Sequence, residues 1–117
     1  KVMSAHRSPA LVSEFISGAR DAGYQAVICG AGMAAHLAGA AAAHTTLPVI
    51  GVPLSGGAIN GWDSLLATVQ MPKGIPVATV AVDGAMNAAL LVVQMLAVND
   101  PALVAELEAH RAEMVPK

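Results

Sequence analysis

Three short apolar runs constrain the fold of this chain most, because each is bounded by turn-forming residues and separated from the next by a helical pattern. They cover residues 26–29, 49–52 and 77–82. Continuous apolar strands of this kind are typical of parallel sheets, in which both faces of a strand are buried. Strands that alternate with helices predict an α/β fold whose parallel strands are joined by right-handed crossovers.

The segments between and around these runs predict the helices. Apolar residues recur at helical spacing over residues 9–22, 33–43, 84–98 and 101–114, and in a stretch that starts near Trp62. The stretch 30–32 predicts a tight turn, and residues 1–3 predict the tail of a further strand. Helix 84–98 is apolar almost all round and is stable only when covered on every side, whereas helix 101–114 is amphipathic. We therefore expect one α/β domain over residues 1–117.

Composition limits the partners of the chain. Hydrophobic residues make up 56% of the chain and charged residues only 12%. So few charges would leave the surface of a monomer poorly solvated, and we therefore predict a homo-oligomer. The formal charge of −2, with no basic stripe, argues against nucleic acid. No segment has the roughly 20 apolar residues of a membrane span. Cys29 is the one cysteine, which excludes an internal disulfide and fits a cytoplasmic protein.

The candidate site residues are concentrated in the segment 4–9. Ser8 followed by Pro9 predicts a helix start, so Ser4, His6 and Arg7 would lie in a strand-to-helix loop. Ligands of α/β sheets bind at the carboxyl ends of strands, and an arginine beside a helix N-terminus suits a phosphate. An exposed turn with an incidental histidine is the alternative for this segment alone.

Two other motifs give weaker signals. Gly30-Ala31-Gly32 resembles half of a dinucleotide fingerprint, but no acidic residue follows at the required distance, so we reject a dinucleotide site. Such small residues still allow a ligand to approach the backbone, or equally allow close helix packing. His36 and His44 are eight positions apart without thiolate or carboxylate partners, which argues against zinc.

Nucleophilic hydrolysis is a further alternative. It would combine Ser4 or Ser55 with His6 and Asp63, but the sequence has no nucleophile-elbow pattern. Asp63 is better explained as support for a helix start. Cys29 lies inside an apolar strand and is better explained as an inert core thiol than as a nucleophile.

Taken together, several segments resemble one family over essentially the whole chain. They are SAHRSP (4–9), GAGMAAHL (30–37), LPVIGVP (47–53), DSLL (63–66) with VQMP (69–72), GIPVATV (74–80) and NAALL (87–91). In this order they are similar to class I N5-carboxyaminoimidazole ribonucleotide mutase of purine biosynthesis, the catalytic-subunit family of phosphoribosylaminoimidazole carboxylase. The direct carboxylases have a similar motif with lysine at the position of Arg7, so Arg7 favours the mutase class.

The resemblance implies a three-layer, flavodoxin-like parallel sheet with helices on both faces plus a C-terminal helix, in a homo-octamer. It implies an isomerase that moves a carboxyl group from the exocyclic nitrogen to the adjacent ring carbon of a nucleotide, without cofactor or metal. A single histidine can be both acid and base there, because imidazole exchanges protons near neutral pH. His6 is the implied acid/base. The implied substrate-binding residues are Ser4, Arg7, Ala31, Gly32, His36 and Leu37.

The chain departs from the family pattern in three places. Met33 stands where the family usually has glycine, and Ala38 where proline is common. The strand and Gly-Ser-x-Ser-Asp loop with which the family opens are not matched, so we expect the functional protein to carry that N-terminal segment in addition. Two alternatives stay open: direct carboxylation of aminoimidazole ribonucleotide, and a non-catalytic protein that binds nucleotide phosphate.

Overall fold

The computed structural model describes all 117 residues and contains five helices around a three-stranded parallel sheet. The predicted α/β class is confirmed. The elements in chain order are α1 (Pro9–Ser17), β1 (Val27–Gly32), α2 (Leu37–His44), β2 (Val49–Leu54), α3 (Trp62–Val69), β3 (Ala78–Thr79), α4 (Ala85–Ala97) and α5 (Pro101–Glu113).

The sheet has the order β1-β2-β3, with β2 in the centre. β1 pairs with β2 over six residues, from Val27 opposite Val49 to Gly32 opposite Leu54. β3 pairs with β2 only at two positions. The predicted strand 77–82 is therefore too long: the ladder ends at Thr79, and the chain turns at Asp83, whose φ is 60°. The carboxyl-terminal half of β2 consequently has a strand partner on one side only.

Helices cover both faces of the sheet, as predicted. On one face, Val12 and Ile16 of α1 form an apolar cluster with residues of α2, β1 and β2. On the other face, Ile50 and Val52 pack with Ala88 of α4. This division follows from the alternation of side chains along β2, because successive residues of a strand point to opposite faces.

The glycine segment that follows the first apolar run does not form the predicted tight turn. Gly30, Ala31 and Gly32 continue β1 and pair with the last three residues of β2. The turn comes at Met33, which has a φ of 51° and cannot begin a right-handed helix. The helix predicted over 33–43 therefore begins only at Leu37.

Two predictions near the N-terminus are also wrong. Residues 1–3 do not form a strand; instead, the Lys1 ammonium lies 4.5 Å from the centre of the Phe15 ring. The helix predicted over 9–22 ends at Ser17, because Gly18 follows and glycine has a low helix propensity. The chain continues from there through turns to Gly23, whose φ is 92°.

Helices α4 and α5 carry apolar surface that the chain itself covers only in part. Ala88 and Ala97 are the buried residues of α4, and its larger apolar side chains are half-buried or exposed. α5 has no buried residue and packs against α4. The expected complete cover of α4 is thus not reached within one chain. No helix combines the length and hydrophobicity needed to cross a membrane.

The single cysteine lies in the core. Cys29 is buried in the cluster between β1 and the helices α1 and α2. Burial raises the pKa of the Cys29 thiol to about 11, since a thiolate would lose its hydration there. The structure therefore agrees with an inert core thiol and argues against a nucleophile.

Candidate active site

The segment that carries His6 and Arg7 is a turn tied together by two serines. The Ser4 N–H donates to Ser8 Oγ (3.1 Å), and the Ser8 hydroxyl and N–H both donate to the Ser4 carbonyl oxygen (3.0 and 2.9 Å). Ser8 occupies the N-cap position of α1, as predicted, but its side chain makes these bonds instead of capping the helix. The turn is consequently closed before α1 begins, and it presents His6 and Arg7 outward.

This turn forms one side of an open cleft of about 390 Å³ at the carboxyl ends of β1 and β2. The other side consists of the end of β1, the turn after it and Leu54 of β2. All seven predicted site residues line the cleft: Ser4, His6, Arg7, Ala31, Gly32, His36 and Leu37. The structure thus brings together residues from three separate segments of the chain.

The two histidines of the cleft are hydrogen-bonded to each other. His6 Nε2 lies 2.7 Å from His36 Nδ1, and the rings meet edge to face with centroids 4.9 Å apart. Only one of the two facing nitrogens can carry the hydrogen, because a hydrogen bond needs one donor and one acceptor. The pair therefore holds one shared proton between the rings, next to the space where a ligand would bind. His36 is the residue before α2, not a residue inside that helix.

Arg7 is exposed and adds a positive charge to the cleft. The backbone N–H of Arg7 donates to Ser4 Oγ at 3.1 Å, which fixes the backbone of the turn. Its guanidinium makes no hydrogen bond or ion pair within the chain. A guanidinium that is not engaged elsewhere can bind an anion with two parallel hydrogen bonds.

Small and apolar residues form the floor of the cleft. Gly30 and Gly32 lie beneath the Leu54 side chain, whose Cδ1 is 3.5 Å from the position that a Cβ of Gly30 would take. Ala34 lines the cleft, and the next residue, Ala35, is buried. This floor therefore presents mainly apolar surface to a bound molecule.

The backbone conformation of Met33 explains why the family usually has glycine at this position. Its φ of 51° lies in the left-handed region, which glycine adopts without strain and other residues do not. The side chain is 60% exposed and approaches Gly57 in the loop that follows β2. Glycine is thus favoured at this position by its free adoption of a positive φ. The Met33 side chain narrows the edge of the cleft, which a glycine would leave open.

The serine–histidine–aspartate alternative is not assembled in the structure. The Ser55 hydroxyl donates to Asp83 Oδ2 and the Ser55 N–H donates to Asp83 Oδ1 at 2.9 Å. Both bonds lower the pKa of the Asp83 carboxyl, and the bond from the hydroxyl has the larger effect. Asp63 accepts from the Ser64 N–H at the start of α3, as its alternative role predicted.

Sequence reasoning missed the histidine pair and the Asp83–Ser55 contact. His6 and His36 are 30 positions apart, and Ser55 and Asp83 are 28 positions apart. Each of the four follows a strand or precedes a helix at the same edge of the sheet, so their shared location could have been predicted. The individual hydrogen bonds could not, since they depend on turn geometry.

A larger cavity at the opposite edge of the sheet is a weaker candidate. Its volume is about 470 Å³, and it lies between the segment that precedes β2 and the turn before β3. None of its eleven lining residues has an ionisable side chain. It therefore lacks an acid, a base and a fixed charge, all of which the histidine cleft provides.

Comparison with known proteins identifies relatives over the whole chain. A family model described as AIR carboxylase matches residues 1–117. The N5-carboxyaminoimidazole ribonucleotide mutase of Pyrococcus abyssi is 52% identical over 114 residues, which is 97% of this chain and 66% of that protein. The mutase of Bacillus subtilis is 52% identical over 113 residues, 95% of this chain and 70% of that protein.

A third relative carries a different name. The chloroplastic phosphoribosylaminoimidazole carboxylase of Vigna aconitifolia is 49% identical over 113 residues, 97% of this chain but 20% of that much longer protein. This chain thus spans about two thirds of the length of the mutases that it matches.

Proposed function

The chain belongs to the AIR carboxylase family, and from that premise we propose that it performs the reaction of its mutase relatives. The reaction converts N5-carboxyaminoimidazole ribonucleotide to 4-carboxy-5-aminoimidazole ribonucleotide in purine biosynthesis, and we place this chain in the cytoplasm. The observation that carries the proposal is the His6–His36 pair, which faces a cleft that also holds an unengaged arginine. This arrangement combines a mobile proton with a phosphate-binding cation.

The proposed chemistry has two steps, and one proton is returned at the end. First, the bond between the exocyclic nitrogen and the carboxyl carbon breaks, His6 gives its proton to that nitrogen, and carbon dioxide is released. Next, the ring carbon C4 attacks the carbon dioxide, and His6 removes the proton from C4. Because the electrons and the proton balance, one general acid/base is sufficient and no redox carrier is required.

His36 supports His6 in this scheme. Through their shared hydrogen bond, it fixes the orientation of the His6 ring and the nitrogen on which the proton resides. His36 also lies in the cleft and contacts the substrate. We assign acid/base catalysis to His6, because it belongs to the same rigid turn as the phosphate-binding residues.

The remaining cleft residues bind the substrate. Arg7 and the Ser4 hydroxyl lie in one turn and bind the phosphate group. Ala31, Gly32 and Leu37 line the opposite side and contact the base. The apolar floor retains carbon dioxide between the two steps, since loss of this intermediate would leave the decarboxylated nucleotide as product.

The direct test supplies the full-length protein with the N5-carboxylated nucleotide. We expect the C4-carboxylated nucleotide to form without added bicarbonate, as followed by its ultraviolet absorbance. Direct carboxylation, the activity in the name of the Vigna relative, would instead consume the decarboxylated nucleotide and bicarbonate. A protein that only binds nucleotide would form no C4-carboxylated nucleotide from either substrate, and that result would refute the proposed mutase activity.

We also propose that the protein is a homo-octamer. The half-buried apolar side chains of α4, together with α5 as a helix without any buried residue, support association of several chains. Burial of each such large side chain is worth roughly 1.5–3 kcal/mol, so a few shared contacts favour assembly strongly.

Sedimentation of the full-length protein at low micromolar concentration tests this expectation. The octamer predicts a single species of eight times the chain mass. A monomer at that concentration would contradict the proposal, and a smaller closed oligomer would correct the number of subunits while supporting the role of α4.

A further inference from the structure

The end of β2 lacks a strand on one side, and Asp83 takes the place of that strand. β3 ends opposite Gly51, so residues 53–55 have no partner residue on β3. The Asp83 N–H donates to the Pro53 carbonyl oxygen at 2.8 Å. The Asp83 carboxylate accepts from both the N–H and the hydroxyl of Ser55. Asp83 thus supplies the donor and the acceptor that one further residue of a parallel strand opposite Leu54 would have supplied.

Between these two anchored residues lies Leu54, which forms a wall of the histidine cleft. Its carbonyl oxygen accepts from the Ser64 hydroxyl at 2.8 Å, so three consecutive residues are fixed. Its side chain lies next to Gly30 and Gly32 at the cleft floor, and both glycines stay exposed. Leu54 is therefore placed from both sides, by β1 through the ladder and by Asp83 through its neighbours.

We propose that Asp83 is a positioning residue that holds Leu54 against the glycine floor and so keeps the cleft tight enough to retain carbon dioxide. The proposal rests on the mutase function proposed above. Asp83 itself does not line the cleft, and it acts through the backbone of residues 53–55. Its φ of 60° marks the turn by which the chain, beyond the end of β3 at Thr79, brings the Asp83 side chain back to β2.

The test compares four variants of the full-length protein with the parent. Asp83→Gly removes the carboxylate and adopts the left-handed φ without strain. Asp83→Asn keeps one acceptor oxygen for the Ser55 N–H, and Ser55→Ala removes only the hydroxyl bond. Asp21→Asn is the matched control, since this exposed carboxyl lies near the opposite edge of the sheet.

Two measurements are needed. Hydrogen exchange at the Ser55 amide reports whether the contact is broken. The decarboxylated nucleotide released per carboxylated product reports whether carbon dioxide escapes. A misplacement of about 1 Å can cost about 100-fold in a well-oriented reaction. Asp83→Gly removes only part of the support of Leu54, so we expect this release to increase by a smaller factor, about tenfold. Asp83→Asn and Ser55→Ala should increase it less, and Asp21→Asn should match the parent.

The outcomes separate this proposal from the proposed function. Faster exchange at Ser55 in Asp83→Gly with an unchanged product ratio and KM would overturn the positioning role while leaving the mutase function intact. Absence of carboxylated product from the parent and Asp21→Asn alike would refute the function, and with it the assigned role of the wall. If Asp83→Gly does not fold, the graded response of the other two variants decides the question in the same way.

Discussion

Replacement of His6 by asparagine should reduce turnover of the N5-carboxylated nucleotide by about 100-fold to 10,000-fold, the usual contribution of a general acid/base. Asparagine places its amide where the Nδ1 side of the imidazole ring lies and is too short to reach His36 Nδ1, so the bond made by His6 Nε2 is lost as well. It cannot exchange a proton near neutral pH, so both proposed steps lose their proton carrier. Steady-state kinetics of the parent and His6→Asn measure the effect.

Substitution of the neighbouring residue is the contrast to His6→Asn. Arg7→Ala should raise KM by about tenfold to 100-fold, as loss of a charged hydrogen bond predicts, while kcat changes little.

His36→Asn should reduce kcat less than His6→Asn, because it removes the partner of the acid/base and not the acid/base itself. A His6→Asn enzyme within a few fold of the parent would show that another group moves the proton.

The layers of this fold could be predicted from the sequence, but the lengths of its elements could not. Apolar runs bounded by turn residues give both the strands and their parallel arrangement. Their ends depend on pairing: Gly30 to Gly32 extend β1 because β2 lies alongside, whereas β3 stops at Thr79 although apolar residues follow. Helix α1 stops at Gly18 for a local reason, the low helix propensity of glycine.

The location of the candidate site could be predicted for a similar reason. Carboxyl ends of parallel strands meet at one edge, which favoured a ligand at this side of the sheet, but only the family resemblance grouped His6 with the glycine segment. The hydrogen bond from His6 to His36 was not predictable, since His36 was expected inside a helix that in fact begins one residue later. Asp83 carries no motif, and its role depends on a strand that ends early.

Gly51 is the position where one added methyl group should destabilise the fold most. It lies in the centre of β2, on the face that α2 and α3 cover. A Cβ there would overlap Cγ2 of Thr68 on α3 and would lie 3.1 Å from Val77 Cγ1 and 3.2 Å from Ala38 Cβ. Thr68 is buried and β-branched, so its side chain has few other rotamers available.

Gly51→Ala should therefore lower the free energy of unfolding by about 3 kcal/mol, the upper end for overpacking in a core. Urea denaturation followed by circular dichroism measures this loss. Gly18→Ala is the matched control: the nearest atom to its added Cβ is 3.6 Å away, so we expect a change within about 0.5 kcal/mol.

A second substitution tests whether the overlap with Thr68 is the cause. Thr68→Ser removes Cγ2 but keeps the hydroxyl, and alone it should cost about 1 kcal/mol through the lost buried methyl group. In the Gly51→Ala background the same change should instead restore stability, because it removes the overlapping atom. Such a reversal of sign is the signature of two residues in direct contact. If the two losses simply add, α3 does not pack on Gly51 as closely as the structure describes.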